Sequence, residues 1–289
     1  MAGPIYIYHG PRRDFNWVGF GSGSGTNLAA LALNIKKPMA VFSDDPNAGF
    51  LNPELRPELK GVEQIVEYGY EHCGSWKAAK GDTQKEAAYF EKSEAFNRLI
   101  LERLRQLESK KQKRINLIVL GGYMRLVRDP LLEEFTDRII NVHPSCLPYN
   151  PRVKGKRDLI GENAVYEAIK RKQWVTRSSV IIVDEGEDHG EILAQGPRVP
   201  VWEEIRQPEF KEADEEFIRK YAKVHQERQK EISDWPAFVW TLKAIADSKL
   251  AIHQFRDIHN EWRIVYHNQS GNLPYTGFDT PYKEIKLAA

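Results

Sequence analysis

The 289 residues carry 42 Lys and Arg against 41 Asp and Glu, a net charge of +1 that offers no concentrated basic field for nucleic acid. No stretch approaches the about 20 apolar residues of a membrane span, and the N-terminal MAGPIYIYHGPRRDF lacks the apolar run of a signal peptide. Two cysteines, Cys73 and Cys146, are too few for a disulfide framework, so a soluble, cytoplasmic protein is expected, with small-molecule partners rather than nucleic acid or membrane.

Short apolar runs alternate with helical patterns along the chain. Residues 5–8 read as an opening strand and 38–42 (PMAVF) as a second. A helix is predicted over 27–35, and another over 92–110, where Phe96, Leu99, Ile100, Leu104 and Leu107 recur at helical spacing. Three more apolar runs follow at 115–120 (INLIVL), 138–142 (RIINV) and 179–183 (SVIIV), with a helix over 163–171 that groups Val165, Ala168 and Ile169. Continuous apolar strands suit a parallel sheet covered on both faces. The order predicts an α/β fold with an open, doubly wound, mostly parallel sheet.

Beyond Trp202 the chain becomes highly charged. Residues 209–232 read as a solvated helix with a thin stripe of Phe217, Tyr221 and Val224. Residues 235–246 read as a further helix with Pro236 in its first turn, and 252–279 as a small hairpin turning at Gln269, Ser270 and Gly271. The expected organisation is a main domain over 1–205, with a C-terminal helical extension and tail over 206–289 packed on it.

Residues 19–27 read GFGSGSGTN and run into a helical pattern. Glycines permit positive φ and close approach, Ser24, Thr26 and Asn27 can add hydroxyl or amide donors, and a helix N-terminus offers free N–H groups, so the loop is a candidate to hold a phosphate. The competing reading is a surface turn in which Thr26 or Asn27 serves as helix cap. The spacing matches neither G-x-G-x-x-G nor G-x-x-x-x-G-K-[ST], which argues against a dinucleotide or triphosphate site.

Asn141 and His143 lie two apart at the end of a predicted strand, so they face one side, and Pro144 ends the ladder. That end is where open parallel sheets bind ligands. An amide and an imidazole on one face can donate to a developing oxyanion and move a proton; the alternative, a strand end closed by local hydrogen bonds, stays open at this point. His143, His189 and Asp188 form no recognisable zinc motif, so no metal is expected.

Residues 141–148 (NVHPSCLP) match the N-x-H-P-S-x-L-P signature of the tetrahydrofolate-dependent formyltransferases, which the sequence resembles from Gly21 to about Val201. The resemblance implies a Rossmann-like formyltransferase fold and 10-formyltetrahydrofolate as co-substrate. It implies Asn141 and His143 as catalytic, and residues 183–193 (VDEGEDHGEIL), similar to the family's D-x-G-x-D-x-G-x-I-L stretch, carry Asp188 as the third catalytic group. Residues 121–126 (GGYMRL) resemble the family's folate-lining segment, which implies Tyr123, Met124, Arg125, Leu126 and Val127, with Glu187, as folate contacts.

Within the family, residues 23–28 (GSGTNL) are similar to the phosphate loop of the glycinamide ribonucleotide formyltransferases of purine synthesis, which implies Gly25, Thr26 and Asn27 as phosphate contacts. The same likeness implies Glu227 or Glu231 at the substrate ribose, Glu227 being preferred, and Lys92 near the folate tail. The chain departs from the pattern at residues 149–157 and in its longer C-terminal part. Two other readings are kept beside this one: an N-formyltransferase for an amino sugar nucleotide, and a non-catalytic folate or phosphate binder. A homodimer is compatible with either.

Overall fold

A computed structural model describes residues 3–147, 157–206, 215–256 and 261–287. Two compact units form, one from Arg13–Asn141 with Val183–Gly186, the other from Met1–Arg12, Val142–Ile182 and Glu187–Lys286. The chain opens on β1 (Ile5–Tyr6), which belongs to the second unit. The expected boundary at residue 205 therefore falls inside a unit that gathers the extension with residues 142–182.

The first unit contains β2 (Trp17–Gly21), α1 (Thr26–Asn34), β3 (Ala40–Ser43), β4 (Glu63–Val66), short helices α2 (Gly69–Cys73) and α3 (Trp76–Ala79), α4 (Thr83–Lys111), β5 (Leu117–Leu120) and α5 (Leu131–Glu134). It ends on the first three residues of β6 (Ile139–His143). These strands are parallel, in the order β6-β5-β2-β3-β4.

Alternation along β2 shows how the sheet is covered. Val18 and Phe20 share a buried cluster with Phe42, Ile118 and the Phe96, Ile100 and Leu104 side chains of α4. Gly19 faces the other way, where a Cβ would lie 2.9 Å from the Leu28 side chain of α1. Helices thus cover both faces, the doubly wound arrangement read from the sequence.

Two corrections belong to this unit. The opening strand of the parallel sheet is β2, because Gly19 and Gly21 are strand residues that leave room for α1 and Phe50, whereas their glycine content reads as loop. Helix α4 starts at Thr83 rather than residue 92, since the Asp82 carboxylate accepts from the N–H groups of Gln84 and Lys85.

The second unit continues from β6 through α6 (Ala164–Lys170), β7 (Val175–Thr176), β8 (Ser179–Ile182), β9 (Ile192–Gln195), β10 (Val199–Pro200), α7 (Glu203–Arg206), α8 (Glu215–Gln229) and α9 (Trp235–Ala246). It closes with β11 (Leu250–Arg256), β12 (Glu261–His267), β13 (Gly271–Asn272) and β14 (Phe278–Asp279). β8 and β9 are antiparallel, β14 joins β9 in parallel, and β7 pairs with β10.

The predicted small hairpin is part of a four-stranded antiparallel sheet, β1-β11-β12-β13, with the expected turn joining β12 to β13. Residues 5–8 therefore contribute β1 to this sheet instead of opening the parallel one. In α8 the buried stripe is Tyr221, Ala222, His225 and Gln229, while Phe217 and Val224 are exposed. Tyr221 and Ala222 pack on Val165 and Ile169 of α6, so the register is set by that neighbour and not by the most apolar residues. Residues 209–214 of the expected helix lie outside the described residues. A five-residue π turn, Lys230–Asp234, links α8 to α9.

Candidate active site

The order β6-β5-β2-β3-β4 reverses direction between β2 and β5, so the loops after these two strands flank the topological switch point, the usual ligand crevice of such sheets. After β2, Gly25 takes a left-handed conformation (φ 64°) and its carbonyl accepts the Ala29 N–H at the start of α1. Phe50 lies against it, 2.3 Å from where a Cβ would stand. The N-cap residue of α1 is Gly25, which has no side chain to cap the first turn, and a helix start of this kind suits an anion. Asn27 is buried and Thr26 half-buried; neither is the cap that the competing reading required. Arg56 donates to the Ser24 carbonyl (2.7 Å), a cation beside the loop that no local pattern singles out.

The loop after β5 is tied to its neighbours. Ser22 N–H donates to the Gly122 carbonyl (3.0 Å), and Met124 N–H to the Ser22 hydroxyl (3.0 Å). That hydroxyl donates to Asp44 at the end of β3 (2.5 Å), and the other Asp44 oxygen accepts from Arg125 Nε (2.6 Å). Arg125 also donates to the Gly74 carbonyl (2.9 Å) and to the Cys73 sulfur (3.2 Å), whose thiol burial pushes up. Asn97 of α4 completes the support by accepting the Arg128 N–H (3.2 Å).

Of the five expected folate residues here, Tyr123 and Val127 turn into the core, where the Tyr123 ring packs on Phe20 and Phe42 and burial holds its phenol well above its ordinary pKa. Arg125 is occupied by Asp44, Leu126 is half-buried, and Met124 is 57 % exposed.

At the end of β6, Asn141 is half-buried and His143 buried. In the second unit His143 Nδ1 faces Asp188 Oδ2 (3.1 Å), and Nε2 lies 2.7 Å from the Leu159 carbonyl. A carbonyl only accepts, so Nε2 carries the hydrogen that points at Leu159. Asp188 Oδ2 also accepts the Gly161 N–H (2.9 Å), and the Asp188 carbonyl accepts from Arg157 (2.6 Å). Leu159 (φ 59°) and Asp188 (φ 52°) are both left-handed, conformations that cost of order 1–3 kcal/mol when not glycine, and here they aim a carbonyl and a carboxylate at one imidazole.

Side chains fix the turn after His143. Ser145 Oγ donates to the Leu159 carbonyl (2.8 Å), Ser179 Oγ to the Ser145 carbonyl (2.8 Å), and Leu147 N–H to Ser179 Oγ (3.2 Å). Pro148 and residues 149–156 lie outside the described residues. The structure thus brings His143 and Asp188 together. Glu187 is exposed beside Gly161, Glu227 is an exposed residue of α8 ion-paired with Lys230 (2.6 Å), Glu231 is exposed on the π turn, and Lys92 is exposed on α4. Leu159 and Gly161 are contributors that no motif marked, because their roles are backbone contacts. Among the described residues no group of three or more His, Cys, Asp or Glu is gathered to hold a metal ion, and no helix is long and apolar enough to cross a membrane.

A parallel sheet covered on both faces, an uncapped glycine turn at its switch point, and an imidazole–carboxylate pair following a strand-end amide define an α/β group-transfer enzyme. Comparison with known proteins agrees. Residues 58–216, more than half of the chain, match the family described as formyl transferase, and the chain belongs to that family.

A phosphoribosylglycinamide formyltransferase of Bacillus subtilis (strain 168) is 34 % identical over 176 residues, 61 % of this chain and 75 % of that protein. The crystal structure of glycinamide ribonucleotide transformylase 1 from Symbiobacterium toebii is similar at 26 % identity and a TM-score of 0.51, covering 83 % of this chain and 92 % of that one. The phosphoribosylglycinamide formyltransferase structure from Coxiella burnetii shares the fold at a TM-score of 0.57 and 19 % identity, over 94 % of this chain and 100 % of that one.

Proposed function

We propose that the protein transfers the formyl group of 10-formyltetrahydrofolate to the primary amine of glycinamide ribonucleotide, with Asn141, His143 and Asp188 as its catalytic residues. The observation that carries the chemistry is the His143–Asp188 pair at the end of the strand that bears Asn141. The acceptor follows from the named relatives and from the uncapped glycine turn at Gly25, which suits a phosphate.

The donor's flat heterocycle is matched to the loop after β5. Gly122 (φ 84°) turns the backbone there, and Met124 offers an exposed apolar side chain beside it. Tyr123, Leu126 and Val127 act by shaping that backbone, Arg125 by anchoring it, and Glu187 and Glu227 are assigned to the rim of the donor and the acceptor ribose.

In the reaction the amine nitrogen bonds to the formyl carbon, whose oxygen becomes an oxyanion. Asn141 and His143 donate to it, each such donor being worth about 3–4 kcal/mol in a preorganised site. Asp188 holds the imidazole in orientation through Nδ1. The carbon–nitrogen bond to the donor then breaks, and the proton lost by the amine ends on the donor nitrogen, with the His143–Asp188 pair as carrier. The Leu159 carbonyl now occupies Nε2, so the formyl oxygen takes its place on binding.

The test is release of tetrahydrofolate by purified protein given 10-formyltetrahydrofolate with glycinamide ribonucleotide, with an amino sugar nucleotide, or alone. Turnover with the ribonucleotide is expected. Turnover with the amino sugar alone replaces the acceptor and keeps the chemistry; silence with both overturns the reading.

A further inference from the structure

We infer that Gln229, the last residue of α8, is a positioning residue for the reacting end of β6. The inference rests on the formyl-transfer reading. Gln229 is wholly buried, although a primary amide loses about 1–3 kcal/mol on burial for each polar atom left without a partner. Its Nε2 donates to the Pro144 carbonyl (2.9 Å) and to the Ser178 hydroxyl (3.0 Å), while Oε1 has no protein partner among the described residues. A leucine or methionine would fill the same space without that cost, so what the amide adds is its two donor bonds.

The first of those bonds holds the residue directly after His143. Pro144 has no N–H, so the backbone cannot lock this turn through a donor of its own. The side chain from α8 does so from outside. Gln229 is itself held by a rigid support. Ser178 Oγ donates to the Asp234 carboxylate, and Ser178 N–H to the Ser233 hydroxyl (2.9 Å), both on the π turn.

Gly196 has no room for a side chain there, since a Cβ would stand 2.2 Å from the Ser233 carbonyl. The π turn is thereby docked at the start of β8 and the end of β9, and its uncommon i→i+5 geometry follows directly on Gln229. Alongside, Gln195 donates to Ser179 Oγ (3.1 Å), which holds Ser145 and Leu147. This amide thus links the C-terminal extension to the site.

The experiment uses the full chain with Gln229→Met, which keeps the length and removes the donor. Steady-state kinetics, thermal melting and the ring Cε1–H signal of His143 by NMR are compared with the unaltered protein. Displacements of about 1 Å cost roughly a hundredfold in rate. The expected result is kcat lowered about tenfold to a hundredfold, both KM values within about threefold, a cooperative melt and a displaced His143 signal.

A folded Gln229→Met protein with unaltered kcat and an unmoved His143 signal overturns the inference. Should that variant not fold, Ser178→Ala, which leaves the amide but removes the hydroxyl steadying it, is judged by the same two readouts. The NMR signal needs no turnover. If the unaltered protein transfers no formyl group, the functional reading fails while the signal still decides whether Gln229 positions His143.

Discussion

Gly25 is the residue where backbone freedom and function coincide most tightly. Its φ of 64° costs a side-chain-bearing residue about 1–2 kcal/mol, and Phe50 occupies the space of a Cβ. Gly25→Ala is expected to lower the melting temperature and to raise KM for the phosphorylated acceptor at least tenfold, with a smaller change for the formyl donor; steady-state titration of each substrate separates the two. One oxygen of Asp188, Oδ2, is shared between His143 and the Gly161 N–H. Asp188→Asn keeps the shape but removes the charge. Its kcat is expected to fall about a hundredfold, the scale of losing one oxyanion donor, with a melt close to that of the parent protein. A variant retaining most of its turnover would remove Asp188 from the mechanism.

Among the elements, α4 supports the loop after β5 as well as the core. Asn97 is buried, donates to the Ser93 carbonyl (2.8 Å) and accepts the Arg128 N–H (3.2 Å). Asn97→Leu leaves that N–H without its acceptor, so a loss of about 1–3 kcal/mol in urea unfolding is expected, with KM for the folate donor rising more than KM for the acceptor. Helix α4 also shows how far patterns carry. Its apolar stripe from Phe96 to Leu107 is plain in the sequence, yet its first turns are polar and become visible only through the Asp82 cap. Strand β2 was hidden for the opposite reason, its glycines being a packing answer to Leu28 and Phe50 on other segments. The buried stripe of α8 includes a histidine and a glutamine, which hydrophobicity ranks as surface residues.

For the molecule as a whole, acid sensitivity is expected through that histidine. His225 bonds Thr176 Oγ1 through Nε2 (2.7 Å) and Tyr221 through Nδ1 (3.2 Å). The Tyr221 hydroxyl accepts the Trp202 N–H, so its proton is available to Nδ1, and Nε2–H donates to Thr176. Burial, and then the nearby Arg228 charge, depress its pKa from 6.5 to about 4. Above 6.5 neither state binds the proton and the full stability is present. Between 6.5 and 4 the unfolded chain binds it and the folded one does not, so stability falls with pH by up to about 1.4 kcal/mol per unit from this group. Below about 4 both states are charged and the dependence levels off. Urea unfolding from pH 7.5 to 4.5 should show this slope, and His225→Gln should flatten it.

Legible in the residues alone were the α/β class, most strands of the parallel sheet, the glycine turn, and the placing of Asn141 and His143 on one strand end. Each of these is local, set by residues within one strand or one turn, where a period of two or a glycine at a helix start fixes the geometry. Packing alone supplied the partners Leu159 on the imidazole, Asp44 on Arg125 and Gln229 on Pro144, and set the 3.1 Å approach of Asp188 to His143. Those contacts join segments far apart in the chain, and their distances depend on how strands and helices pack. A polar residue shows its chemistry in sequence; what it faces is settled by the fold.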